Sequence, residues 1–266
     1  MTTRVWFAAV VAAGCGFHNN TTTSDGAGPP LADANADADP AASESVELKI
    51  DLADPPAALA ALGLADHDAD TTQSIWFYDT AQLALYDAGA ILRARKVHAG
   101  SDDSTVKARP MTVAQMTTAW LAQPGAKCEI DRTMAGGVSA CSLTEDVAHG
   151  AIDAVGTGGA IASLYTSDQL VFLGSIAGTV DLTTLLRAGP IPSTVWSLAP
   201  ADLATPLSIE RWVLPDGTTL LEVSTRVPHD AAPAAQQALL AWLAARSLAL
   251  SPDQSDKTPV ALAAFF

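Results

Sequence analysis

The sequence predicts an α+β fold in which mainly antiparallel strands form one domain and helices pack outside them. Three observations carry this. Several short segments alternate apolar and polar residues at period two, as in SVELKIDL, where Val46, Leu48, Ile50 and Leu52 share one face and Ser45, Glu47, Lys49 and Asp51 the other. Turn signals at Gly100-Ser101-Asp102-Asp103, Ala135-Gly136-Gly137 and Pro215-Asp216-Gly217 join neighbouring segments as hairpins. After residue 44 no Pro/Ser-rich linker and no internal repeat divides the chain.

The first strand, SVELKIDL, is followed by a helix that starts at Asp54-Pro55-Pro56, presents Leu59 and Leu62, and stops at Gly63. SIWFYDT is a strand, QLALYDAG a helical turn ended by Gly89, and AILRARKV and STVKARP the two arms of a hairpin. VAQMTTAWLAQ is expected to be helical, with Met116 and Trp120 inward. KCEIDRTMAGGVSACSL is expected to fold back near Met134 and Ala135, which sets Cys128 opposite Cys141 and predicts a disulfide between them. From Thr144 to about Thr205 two or three short helices are expected, one starting at Thr166-Ser167-Asp168-Gln169, with Gly178, Gly189-Pro190 and Pro192 as punctuation. IERWVL and TTLLEVSTRV form a late hairpin, and Leu239, Trp242, Leu243 and Arg246 mark an amphipathic helix.

The first fifteen residues, MTTRVWFAAVVAAGC, place one positive charge before an apolar run too short to span a bilayer, then small residues and Cys15. That layout resembles a bacterial lipoprotein signal, which implies lipidation of Cys15; an ordinary cleaved signal with an incidental cysteine is the alternative. In either case the expected destination is outside the cytoplasm, and with lipid the chain is membrane-anchored, facing the periplasm or the cell surface. An oxidising compartment suits a disulfide. Residues 16–43 read as a disordered acidic tether and 44–266 as the folded domain.

The formal net charge of −15 argues against nucleic acid as a partner, because the field of the whole chain repels a phosphate backbone. Yet Ile75 to Arg109 holds five of the fourteen basic residues. Arg93 with Arg95, and Lys107 with Arg109, are paired at i, i+2, so each pair shares one strand face. Glu47 with Lys49, Glu129 with Asp131, and Glu222 with Ser224 and Arg226 repeat the pattern. A closed sheet with polar residues inside and helices outside satisfies it, and so does a sandwich with charged faces in solvent. The single histidines have no zinc spacing, and there is no phosphate-binding Gly-rich loop or nucleophile elbow.

The segments VELKI, FYDTAQLALYDAGAILRAR, DSTVKAR, LLEVS and DKTPVALAAFF, in this order, resemble the CYTH superfamily of triphosphate tunnel proteins. The resemblance implies a mainly antiparallel eight-stranded β tunnel with a polar interior and flanking helices. It further implies a phosphorylated anion such as tripolyphosphate or polyphosphate, gripped by Lys49, Arg93, Arg95, Lys107, Arg109 and Lys257, with Arg132 and Arg226 as further candidates. Glu47 and Glu222 match metal-holding acids of the family, which implies Mg2+ or Mn2+ and metal-dependent triphosphate hydrolysis. Ser45 and Ser224 stand where the family has two more carboxylates, so Glu129, Asp131 or Glu210 would have to substitute. A polyanion-binding or structural protein that has lost the metal site is the alternative.

Overall fold

The computed structural model describes residues 45–98 and 100–266; the expected leader, Cys15 and the tether lie outside them. The strands are β1 (Ser45–Asp51), β2 (Thr71–Asp79), β3 (Ala90–Val97), β4 (Asp103–Ala108), β5 (Ala126–Thr133), β6 (Gly136–Asp146), β7 (Leu186–Leu198), β8 (Leu207–Val213) and β9 (Thr219–Pro228). They close into a barrel in the order β1-β5-β6-β4-β3-β2-β7-β8-β9. Closure leaves no sheet edge exposed along the wall.

The barrel therefore has nine strands where the sequence pointed to eight; it is mainly antiparallel, as expected, and mixed only through the parallel pairing of β1 with β5. The ninth is β7, in a stretch expected to hold helices. Gly189, Pro190 and Pro192 disguise it, since proline cannot donate to a ladder and normally argues against an internal strand. Here the β2–β7 register shifts between Ile75 and Phe77, and this bulge absorbs the irregular segment. The mixed character comes from β1, which pairs antiparallel with β9 and parallel with β5, Glu47 lying opposite both Arg226 and Asp131.

Alternation explains what faces where. Val46, Leu48 and Ile50 of β1 are buried outward, whereas Glu47 and Lys49 face the interior. The outward apolar faces of β2, β3, β4 and β6 pack, through Trp76, Leu92, Val106 and Leu143, against α4 (Ala151–Gly156) and α5 (Ser167–Ala177). Those of β1, β8 and β9 pack beneath α1 (Pro55–Leu62) and α6 (Ala232–Ala245), where Leu239, Trp242 and Leu243 are buried. Two elements are shorter than expected: QLALYDAG keeps only α2 (Ala84–Asp87), and VAQMTTAWLAQ splits into a 3-10 turn and α3 (Thr118–Leu121). The split has a local cause. Met116 and Thr117 are both extended, and Thr112 and Thr117 each cap a separate turn.

Three expected features are present as drawn. Thr166 and Gln169 form a capping box at the start of α5. The β5–β6 hairpin turns at Met134 and Ala135, and Cys128 is joined by a disulfide to Cys141, its partner in register. Finally α7 (Lys257–Ala263) packs Ala261 and Leu262 against Ile75, Phe77, Ile91 and Trp212, inward-facing residues at one end of the barrel. This places an apolar stopper at that end.

Candidate functional site: a cationic barrel interior

The barrel encloses a cavity of about 480 Å³. Of the residues proposed from sequence, Glu47, Lys49, Arg93, Arg95, Lys107, Glu222 and Lys257 all line it. Arg109 does not; it lines a neighbouring cavity and forms ion pairs with Asp256 and, at 3.7 Å, with Asp131. Arg132 sits one residue past Asp131, on the outer face of β5. Sequence reasoning missed Lys127 and Asp256. Lys127 was legible, because the alternation that turns Glu129 and Asp131 inward carries Lys127 with them. Asp256, by contrast, gave no signal beyond its place before Lys257.

Seven cations and five carboxylates line the cavity, inside a chain of net charge −15. Cross-strand register sets the geometry. Phe77, Arg93, Thr105 and Thr144 form one continuous row across β2, β3, β4 and β6. In that row Arg93 Nη2 donates to Thr105 Oγ1 at 3.2 Å, and Thr105 shares a 3.0 Å hydrogen bond with Thr144. Arg93 has no ion pair among the described residues, and its buried Nε has no hydrogen-bond partner. Burial and the neighbouring Arg95 pull its pKa down to about 10, which still leaves it charged at neutral pH. Arg95 itself is held by Asp103, at 2.6 Å.

Asp131 is the negative anchor of the floor. Its side chain is fully buried, Lys49 Nζ lies 2.7 Å from Oδ1, and Lys107 Nζ lies 2.6 Å from Oδ2. Burial pushes the carboxyl pKa up, but the two ammonium groups outweigh it and hold it well below the usual range. Lys49 is held charged by Glu222, Asp131 and Glu47 despite burial, whereas burial wins at Lys107 and lowers its pKa.

Glu47, Glu129 and Asp131 bring one carboxylate oxygen each to within 4.8 Å of one another. All-oxygen donors of this kind suit a hard divalent cation such as magnesium or manganese, so the donor set fits the metal implied by the resemblance. In the structure positive side chains bridge the same carboxylates. Lys49 spans Glu47 (3.2 Å) and Asp131, and Arg226 spans Glu47 and Glu129, each at 3.0 Å. Burial raises the Glu47 pKa, and Lys49 and Arg226 bring it below normal. Glu222 stands outside this triad, opposite Glu210 in the β8–β9 ladder. Lys257 lies between them, 2.6 Å from Glu210 and 3.2 Å from Glu222, with its ammonium 4.6 Å from the Trp212 ring centre. Burial raises the Glu210 pKa, and Lys257 more than reverses this, taking it down to about 2.

No protein-family model matches the chain. No curated protein matches it either. Two solved structures share its fold. One, from Bacillus halodurans, is described as a proposed adenylate cyclase; it is 13% identical, has a TM-score of 0.55, and the match covers 82% of this chain and 97% of that one. The other, from Hippeastrum, was proposed as an adenylyl cyclase and reveals a dominant triphosphatase activity; it is 16% identical, with a TM-score of 0.59 and coverage of 84% and 97%. At these identities the likeness is one of fold alone.

Proposed function

We propose that the barrel interior binds a phosphorylated anion of the tripolyphosphate class and, with a divalent cation, hydrolyses its phosphoanhydride bond. The observation that carries the proposal is Arg93: a half-buried guanidinium on the cavity wall without a carboxylate partner, which an entering phosphoryl group would satisfy in bidentate fashion. The neighbour from Hippeastrum, with its triphosphatase activity, supports the same class of ligand.

Phosphoryl transfer asks a protein mainly for positioning and charge neutralisation. Arg93, with Arg95 beside it on the same strand face, would grip one end of the anion, and Lys107 and Lys49 the middle. Overall a P–O–P bond breaks, a new P–O bond forms to water oxygen, and the water proton passes to solvent. Glu47, Glu129 and Asp131 are the residues that would hold the metal, which when bound supplies further neutralisation of phosphoryl charge. A second outcome, binding without hydrolysis, is favoured by the bridging positions of Lys49 and Arg226, since these side chains already pair with the same carboxylates. We further place the chain outside the cytoplasm, tethered by lipid on Cys15.

Phosphate release from tripolyphosphate by the full chain, with magnesium or manganese, separates these outcomes. Release abolished in Glu47→Ala is expected for the hydrolase; tripolyphosphate binding without release leaves the binder. Unchanged tripolyphosphate affinity in the Arg93→Ala, Arg95→Ala double variant would sink both. The tether has its own check: Cys15→Ser should move the protein from the membrane to the soluble fraction of the expressing bacterium.

A further inference from the structure

Seryl hydroxyls stand beside cations along the cavity wall. Across β4, β6 and β5 the register sets Ser142 between Lys107 and Lys127. Across β1, β9 and β8 it sets Ser224 between Lys49 and Ser208. These serines line the cavity, and among the described residues none of their hydroxyls has a hydrogen-bond partner. Strands β5 and β1 are neighbours, so the two rows lie on six consecutive strands of the barrel wall.

Lysine and arginine can only donate hydrogen bonds, whereas a seryl hydroxyl both donates and accepts. A cavity shaped for phosphoryl oxygens alone needs donors throughout. The carboxylates of the cavity hold ion pairs, and the three serines add neutral acceptors to this wall. Neutral acceptors beside cations fit a ligand that combines phosphates with its own hydroxyl donors. A linear inorganic polyphosphate has no such donors. The volume of about 480 Å³ lies in the range of small-molecule pockets and admits a six-membered ring with substituents.

We propose that the preferred ligand is a phosphorylated polyol, a cyclitol or sugar carrying several phosphates with free hydroxyls between them, whose hydroxyls bond to Ser142, Ser208 and Ser224. This rests on the anion-binding role proposed above and names its ligand class.

Titration calorimetry of the full chain with three probes tests it: myo-inositol trisphosphate, benzene trisphosphate, which has the ring and charge without hydroxyls, and inorganic tripolyphosphate. The cyclitol should bind about tenfold more tightly than the benzene analogue, the size of one or two hydrogen bonds. In the Ser142→Ala, Ser208→Ala, Ser224→Ala variant that gap should close. Equal affinity of wild type for the two ring compounds overturns the inference and needs no variant at all. A variant that weakens all three probes alike also overturns it, because the hydroxyls then serve phosphoryl oxygens. Binding of tripolyphosphate alone leaves the anion site standing and removes the polyol; binding of none of the three removes both.

Discussion

Asp131 shows how one side chain can hold a cationic cavity together. It is fully enclosed and neutralises Lys49 and Lys107 at once, so Asp131→Asn leaves two ammonium groups facing each other across a buried floor. The expected cost is about 3–5 kcal/mol, the range for breaking one side of a buried pair, and denaturant unfolding measures it. Asp51 acts in the opposite sense. Burial and the neighbouring Glu222 raise its pKa from 3.8 to about 7, and one of its oxygens has no partner. The native state therefore binds the proton more tightly than the unfolded chain. The resulting stability is fully present below the unfolded pKa and is lost as pH rises through about 7. Asp51→Asn should accordingly raise the melting temperature relative to wild type at about pH 8 and bring no such gain at about pH 4, as thermal melts at the two pH values will show.

At the scale of elements, β5 and β6 supply the floor and one wall, and their disulfide staples them on the outer face. Replacing Cys128 and Cys141 by serine frees a 13-residue loop and should cost about 3 kcal/mol, read from the shift in denaturant midpoint between oxidised wild type and variant. Much of this layer was legible. The period-two pattern identifies every strand except β7, and it tells which residues share a face, so Arg93 with Arg95 and Glu47 with Lys49 could be grouped before any coordinates. Which face turns inward was not legible from alternation, because a charged face suits solvent equally well. Closure decided it, and closure depends on β1 pairing with both β9 and β5, a long-range fact with no local signature. The partners of Glu222 and Lys257 were hidden for the same reason. Each looks like a ligand-binding group in its own segment, and only the β8–β9 register and the approach of α7 bring them together with Glu210.

For the whole molecule the charge is arranged by depth, acidic overall with half of its fourteen basic residues lining the cavity. A phosphorylated anion approaches against the outer field and is attracted only inside. Salt screens exposed charges more than enclosed ones, so added salt should remove the barrier to approach before it weakens the grip. Stopped-flow mixing with tripolyphosphate should therefore show an association rate that holds or rises between low and moderate salt; a steep fall would mean that the outer field assists entry.

The seam at β1 also governs how the chain reaches this state. Glu47 and Arg226 meet across 179 positions of sequence, so the barrel cannot close until nearly all of the domain is available. Such non-local pairing makes folding slow, because loop entropy is lost before the contacts that compensate for it form. Until β9 arrives, β1 and β8 present bare edges, which invite pairing with other chains. During synthesis the first strand must wait for the last one, and a nascent chain stopped before Thr219 would remain an open, aggregation-prone sheet.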